Sequence, residues 1–357
     1  MPTCKNCLRR NQECSLIAIT PFASKSKSRS GSGSRVAVSI TSYKPTTTPF
    51  NFATPSTKFF DTLDLELFHQ YASGTSIASL SRCPEIWSQV IPRLALTTPF
   101  VMHALLGVAA IHRATVDPLQ KAHFLARASK HESLSLSYFR QLPPKLDDEN
   151  CHAVYGFSGL VLPYAMASLD LNEIQSTLPT KDSRLPNWID LLRSTHNILY
   201  TNWDWLTNGP FAPLLLDTKE QVNFSNNPDD DHITALNSLF TSHEPAEQNI
   251  LDVCKVALDA LRRTAALPYC VSFNIRAASL VWPGIVSPEY IQLVRERRPE
   301  ALILLAHYSV LLYAGRDCWC FEKLGPHLLR AVFQCLAPEW RSWIQWPLEK
   351  LDMKEEL

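Results

Sequence analysis

From about Leu63 to the end of the chain, apolar side chains recur every three or four residues, which is the spacing of one face of an α-helix. The alternating pattern of a β-strand is nearly absent, and its best example covers only residues 36–40. The chain has 357 residues and is 46% hydrophobic, so the periodic part is large enough to bury a core. We therefore predict one all-α domain over residues 60–350.

Capping residues and prolines mark several helix starts. Thr98 before Pro99 and Asp117 before Pro118 each place a capping side chain ahead of a proline in the first turn. The apolar spacing predicts further helices that begin at Asn187, cover residues 250–261, 289–298 and 300–315, and cover 318–336 with a break at Gly325 and Pro326.

The predicted helix over residues 300–315 is apolar on nearly all sides. A helix of this kind has to be surrounded by other helices or by a bound apolar molecule. Trp319 and Phe321 follow it directly, so Leu311, Trp319 and Phe321 are candidate walls of a ligand pocket. The alternative is a core helix that contacts only protein, because aromatic residues at helical spacing are more often core.

The first 58 residues differ from the rest in charge. They carry nine basic residues and one acidic residue, although the whole chain has no net charge. Residues 16–58 are rich in serine, threonine, proline and basic residues, and this composition cannot bury enough apolar area to offset chain entropy. We predict a disordered basic linker over 16–58, in which Lys25, Lys27 and Arg29 direct nuclear import.

Three cysteines near the start of the chain have the spacing of metal ligands. Two residues separate Cys4 from Cys7, and Cys14 follows after six more. Two thiolates at the first spacing wrap one tetrahedral zinc ion, and a third returns to it across a short turn. Since cysteine is uncommon in polar segments, residues 1–15 are interpreted as a zinc site rather than as unrelated thiols. The other seven cysteines are predicted to be core side chains.

Catalytic motifs are not evident in the sequence. It contains no His-Glu-x-x-His pair, no phosphate loop and no dinucleotide fingerprint. Residues 156–159 lack the spacing of a nucleophile elbow. His103 and His112, like His123 and His131, lie two helical turns apart, which is too far for one metal ion. We predict that the protein is not an enzyme, and that no transmembrane segment is present.

Residues 2–15 resemble the second half of the binuclear zinc cluster of fungal transcription regulators, in which six cysteines hold two zinc ions. The resemblance implies that Cys4 bridges the two metals while Cys7 and Cys14 complete one of them. It also implies phosphate contacts from the basic residues of this segment, Lys5, Arg9 and Arg10.

The family's first half-motif, which carries the helix that enters the DNA major groove, is expected ahead of residue 2 and is missing. We expect either a misassigned start codon or a truncated product. On either expectation this sequence holds one zinc loosely and binds DNA weakly and without sequence preference.

The body resembles the regulatory domain of the same family. Residues 102–112 look like its early helix, and residues 304–313, Trp319 and 340–347 resemble the sterol uptake control regulators. The resemblance implies an all-α receptor that binds a sterol in an apolar pocket. The expected partners are DNA, a sterol or other lipid, and a second copy in a homodimer. Zinc is the expected cofactor, and the nucleus is the expected location.

The predicted function is regulation of transcription, with the helical domain controlling DNA binding or nuclear access. A first alternative is a truncated interaction protein that lacks specific DNA binding and competes with intact relatives. A second alternative is a helical enzyme that acts on an apolar substrate.

Overall fold

The structure, a computed structural model, describes residues 60–73, 83–142, 146–168, 187–215, 222–240, 248–270 and 273–354. Within these ranges the chain is helical and contains no strand, which confirms the predicted all-α fold. The predicted zinc segment 1–15 and the predicted linker 16–58 lie outside the described ranges.

The described ranges contain sixteen α-helices, which we number in chain order. They are α1 (Thr62–Ala72), α2 (Ile91–Thr97), α3 (Pro99–Val116), α4 (Lys121–Phe139), α5 (Cys151–Ala167), α6 (Asn187–Thr201), α7 (Trp203–Thr207), α8 (Ala212–Leu215), α9 (Asp230–Thr234), α10 (Gln248–Ala266), α11 (Ile275–Ser279), α12 (Trp282–Ile285), α13 (Pro288–Arg295), α14 (Pro299–Ala314), α15 (Leu324–Cys335) and α16 (Gln345–Lys350). A π-helical turn, Ile86–Val90, leads into α2, and short 3₁₀ segments cover Pro118–Gln120, Phe224–Asn226, Ala235–Phe240, Leu267–Tyr269 and Pro338–Ile344.

Most helix starts lie where the sequence predicts them. Helix α3 begins at Pro99 after Thr98, although the Thr98 side chain makes no capping hydrogen bond. The Asp117 carboxylate accepts a hydrogen bond from the backbone N–H of Gln120 at 3.3 Å, and so caps the 3₁₀ turn that leads into α4. Helix α6 begins at Asn187 as predicted, and α10, α13 and α14 match the other predicted helices closely.

One predicted helix has the wrong start. The prediction covers residues 318–336, but α15 begins only at Leu324, and turns precede it. Pro326 lies in the first turn, where its missing N–H leaves no hydrogen bond unmade. Gly325 lies so close to α14 that an added Cβ would come within 2.8 Å of the Ser309 carbonyl oxygen. The predicted break is therefore the beginning of the helix.

The N-terminal half is built around α3, which packs against α1, α2, α4 and α5. Its side chains Phe100, Leu105 and Leu106 are buried almost completely. By length and composition alone α3 is apolar enough to cross a membrane, but most of it is buried inside the protein. Its apolar character is explained by its central position in this core.

The C-terminal half is built around α14, which packs against α10, α11, α13, α15 and α16. Residues 301–306 are all buried, so protein surrounds this helix on nearly every side, as its composition requires. The later turns of α14 also border a cavity.

Candidate functional site

A cavity of about 240 Å³ lies beside α14, and we refer to it as the C-terminal cavity. Residues from α9, α10, α11, α14 and α16 and from the segments between them line it. The apolar lining residues are Ile233, Leu261, Ala265, Ile275, Val310, Leu311 and Ala314, and the polar or aromatic ones are Asn227, Asp229, Tyr269, His307, Tyr313, Arg316, Trp346 and Lys350. The lining thus combines an apolar wall with a few polar groups, which is the usual composition of a small-molecule site.

His307 of α14 is the most deeply buried polar group in this lining, at 4% exposure. Its Nδ1 lies 2.9 Å from the carbonyl oxygen of Ile303, and because a carbonyl only accepts, Nδ1 carries the proton. Burial lowers the pKa of His307 to about 4, so the ring is neutral near pH 7. Its Nε2 is therefore an acceptor, and it has no hydrogen-bond partner among the described residues.

An aromatic stack forms one side of the cavity. The Trp346 ring of α16 stacks on His307 with centroids 5.4 Å apart and on His232 of α9 with centroids 4.7 Å apart. Stacked rings at these distances attract each other beyond the apolar area that they bury. The stack therefore ties α9, α14 and α16 into one wall.

Ion pairs hold the segment at the exposed edge of the cavity. Lys350 Nζ lies 2.8 Å from Asp229 Oδ1. Arg262 donates two hydrogen bonds to the Asp230 carboxylate, at 2.7 and 2.6 Å. Asn227 accepts a hydrogen bond from the backbone N–H of Asp229 at 3.1 Å, and its buried Nδ2 has no partner among the described residues. Asn227 and His307, two residues of the cavity lining, thus each have one side-chain nitrogen without a hydrogen-bond partner among the described residues.

The structure separates the three residues predicted as pocket walls. Leu311 lines the C-terminal cavity, whereas Trp319 and Phe321 are not among its lining residues. Trp319 lies against His112 of α3, with ring centroids 5.2 Å apart, and its buried Nε1 has no partner among the described residues. Phe321 is fully buried. The predicted metal and phosphate-contacting residues, Cys4, Cys7, Cys14, Lys5, Arg9 and Arg10, lie outside the described ranges.

The seven remaining cysteines, predicted as core side chains, are not equally buried. Four are buried, namely Cys151, Cys254, Cys318 and Cys320, and three are partly buried, namely Cys83, Cys270 and Cys335. Within the described ranges, no group of three or more histidine, cysteine or acidic side chains is placed to hold a metal ion.

A second polar cluster lies in the N-terminal half, and we name it the Asp64 network: Asp61, Asp64, His103, Arg127 and His131. Asp64 of α1 accepts hydrogen bonds from Arg127 at 2.9 and 2.6 Å and from His131 Nε2 at 2.8 Å, both on α4. Arg127 also pairs with Asp61, the N-cap residue of α1. The network therefore fastens α1 to α4 through buried charge.

The network extends to α3 through a pair of histidines. His131 Nδ1 lies 3.0 Å from His103 Nδ1, so both ring nitrogens of His131 have partners. Burial lowers the pKa of both rings, that of His103 to about 4. On the sequence spacing, histidines were compared within single helices, His103 with His112 and His123 with His131. The contact between His103 and His131 crosses two helices, and helical periodicity carries no signal for it.

One known protein domain and three known proteins are similar in sequence to this chain. Residues 65–162, which include α3, α4 and most of the Asp64 network, match the fungal specific transcription factor domain. A Zn(2)-C6 fungal-type transcription factor of Gibberella zeae is 25% identical over 307 residues, which cover 80% of this chain and 61% of that protein. Sterol uptake control protein 2 of Saccharomyces cerevisiae is 24% identical over 201 residues, which cover 56% of this chain and 21% of that protein.

A third relative, the Zn(2)-C6 fungal-type transcription factor afumD of Aspergillus fumigatus, is 24% identical over 277 residues, covering 71% of this chain and 68% of that protein. The chain is therefore similar to Zn(2)-C6 fungal-type transcription factors, in agreement with the resemblance noted in its sequence. It spans 61% of the Gibberella relative and about a fifth of the Saccharomyces relative. The C-terminal cavity lies outside the matched domain, beyond residue 162.

Proposed function

We propose that this protein is a regulator of transcription rather than an enzyme, and that its helical body carries the regulatory activity. The observation that supports this most directly is the match of residues 65–162 to the fungal specific transcription factor domain. The three relatives, named as transcription factors or as a sterol uptake control protein, support the same function. The body spans residues 60–350 in this proposal.

A reporter assay tests the regulatory activity. The full chain is fused to a heterologous DNA-binding domain and directed to a reporter promoter in a fungal host. We expect the reporter level to differ from that given by the DNA-binding domain alone. The control variant Leu304→Asp, which places a carboxylate at a fully buried position of α14, should remove the difference. An unchanged reporter with the wild-type fusion contradicts the proposal.

For residues 1–15 we propose a zinc site formed by Cys4, Cys7 and Cys14. Three thiolates leave one tetrahedral position open, so one zinc ion should be held more weakly than in a closed site of four ligands. Metal analysis of the purified chain should find at most one zinc, which is lost when the three cysteines are changed to serine. Two tightly held zinc ions would contradict this proposal.

DNA binding is proposed to be electrostatic in this chain. Lys5, Arg9 and Arg10 provide phosphate contacts, which position a protein without reading the bases. Affinity for duplex DNA should fall steeply as salt rises. A preference of about a thousandfold for one sequence over random DNA, the lower end of specific recognition, would show that this proposal is wrong. If DNA binding is weak and the reporter fusion is active, the results favour the first alternative function, an interaction protein that lacks specific DNA binding and competes with intact relatives.

The nucleus is the proposed location, because transcription factors act there. Lys25, Lys27 and Arg29 are proposed to direct import. In a fluorescent fusion, replacing all three with alanine should reduce nuclear accumulation. If accumulation is unchanged, import depends on another part of the chain.

The helical body is further proposed to respond to an apolar ligand in the C-terminal cavity. A ligand that binds the folded state raises the melting temperature. Leu311→Trp should fill the cavity and abolish that increase, while the spectrum stays helical. Leu119→Trp is the matched control, because Leu119 is 97% exposed and lies outside the cavity. Equal ligand responses of the two variants would contradict the site.

Sterols are the first ligands to test, because one relative is a sterol uptake control protein by name. The cavity volume of about 240 Å³ is nevertheless smaller than the about 300–1,000 Å³ of ordinary ligand sites. A sterol therefore requires the cavity walls to move apart.

A further inference from the structure

The C-terminal cavity has room for a small ring system. A cavity of about 150 Å³ holds one benzene ring in a protein interior. The C-terminal cavity, at about 240 Å³, therefore suits a molecule of one or two rings rather than the four fused rings of a sterol. Trp346, which stacks on His232 and His307, also lines it and adds aromatic surface to its wall.

The cavity also contains an unused hydrogen-bond acceptor. His307 is 96% buried, its Nδ1–H donates to Ile303, and its Nε2 lone pair has no hydrogen-bond partner among the described residues. Nε2 is not among the fully buried unpaired side-chain atoms, so this acceptor is open to a small molecule, and a ligand that donates a hydrogen bond can take the place of water there. Asn227 lines the same cavity, but its Nδ2 is fully buried and its Oδ1 accepts from Asp229 N–H, so a ligand contact depends on His307 Nε2 rather than on Asn227.

We propose that the C-terminal cavity binds a compact aromatic alcohol of one or two rings, whose hydroxyl donates a hydrogen bond to His307 Nε2. The ring system packs on the apolar wall that includes Leu261 and Leu311. This inference rests on the ligand response proposed above and replaces the sterol with a smaller ligand class.

The test uses the full chain and two probes that differ only in the hydroxyl group, 2-naphthol and naphthalene. Their affinities are measured by calorimetry for the wild type, for His307→Phe and for the control His123→Phe, which changes an exposed histidine. We expect His307→Phe to weaken 2-naphthol about 3- to 10-fold, the loss of one hydrogen bond, and to leave naphthalene nearly unchanged. His123→Phe should change neither affinity.

A second measurement requires no variant. In the wild-type protein, 2-naphthol should shift the ¹⁵N resonance of His307 Nε2, and naphthalene should shift it less. This readout keeps the proposal testable if His307→Phe does not fold.

The outcomes separate this inference from the ligand response itself. Selective weakening of 2-naphthol supports the inference. Equal loss of both probes, or no loss, overturns the role of His307. If ergosterol raises the melting temperature and 2-naphthol does not, the ligand response stands and the compact aromatic alcohol is wrong. If none of the three probes binds, both ligand proposals fail, whereas the reporter assay still decides the regulatory activity.

Discussion

His131 in the N-terminal half and His307 in the C-terminal half are both buried histidines on core helices, but their hydrogen bonding differs. Both ring nitrogens of His131 have partners, in Asp64 and His103. Only one nitrogen of His307 has a partner, and the other belongs to a ring that lines a cavity. Buried polar groups are nearly always paired in native proteins, and His131 follows this rule, whereas the Nε2 of His307, which has no partner among the described residues, is the atom on which the proposed ligand contact depends.

The largest effect is expected in the Asp64 network. Asp64→Ala removes the buried carboxylate that pairs with Arg127 and His131, and although Arg127 keeps its pair with Asp61, breaking a buried charge pair costs about 3–5 kcal/mol. At about 2–4 °C for each kcal/mol in a large domain, the melting temperature should fall by roughly 10 °C. Thermal unfolding followed by circular dichroism measures the change.

The control for Asp64→Ala is Asp317→Ala, which removes an exposed ion pair with Arg276. The Asp317 side chain is 69% exposed, so its loss should cost less than about 1 kcal/mol. Similar losses for the two variants would mean that the Asp64 network is not a special source of stability.

The next effect concerns acid stability in the C-terminal half. The pKa of His307 is about 4 in the folded protein against an ordinary value of 6.5, so protonation favours the unfolded state. The stability of the folded protein is therefore unaffected by His307 protonation above pH 6.5, and it decreases as the pH falls from 6.5 toward 4. A difference of this size corresponds to on the order of 3 kcal/mol.

Urea unfolding at pH values between 4 and 7 tests the contribution of His307. His307→Phe should lose less stability than the wild type across this range, whereas His123→Phe, at an exposed position, should follow the wild type. If the free energy of unfolding of His307→Phe depends on pH as steeply as that of the wild type, the acid sensitivity comes from other buried histidines, among them His103 of the Asp64 network.

Substitution of one glycine in each half tests how closely the helices pack there. In α15, Gly325→Ala would place a Cβ 2.8 Å from Ser309 O and 2.9 Å from the backbone nitrogen of Tyr313, so it should cost about 1–3 kcal/mol. In α3, the nearest atom to a Cβ at Gly107 is Ala128 O at 3.5 Å, which is an ordinary contact. Gly107→Ala should therefore stabilise by about 0.5–1 kcal/mol, because alanine favours helix. Chemical denaturation measures both, and the same sign for both would contradict the packing difference.

The smallest effect is expected at the edge of the C-terminal cavity. Lys350 pairs with Asp229 at 2.8 Å but is 45% exposed, so Lys350→Ala should change the free energy of unfolding by less than about 1 kcal/mol. Thermal unfolding beside Asp64→Ala provides the comparison. A loss as large as that of Asp64→Ala would remove the contrast between a stabilising network and a binding cavity.

The sequence by itself determined where most of the α-helices lie along the chain. Helical spacing, the proline after Thr98 and the start at Asn187 are local signals, because helix hydrogen bonds join residues four apart and side chains on one face recur every three or four residues. They predicted the all-α fold and an apolar helix over residues 300–315. They misplaced the start of α15, where Gly325 and Pro326 mark the first turn rather than a break.

Only the tertiary structure decided which polar groups meet. His103 and His131 lie 28 positions apart, and Asp229 and Lys350 lie 121 apart, so no periodic pattern links them. It also separated Leu311, in the cavity lining, from Trp319, which packs on α3. The physical reason is that a local pattern specifies which face of a helix is buried, whereas the partner of that face depends on how distant helices fit together.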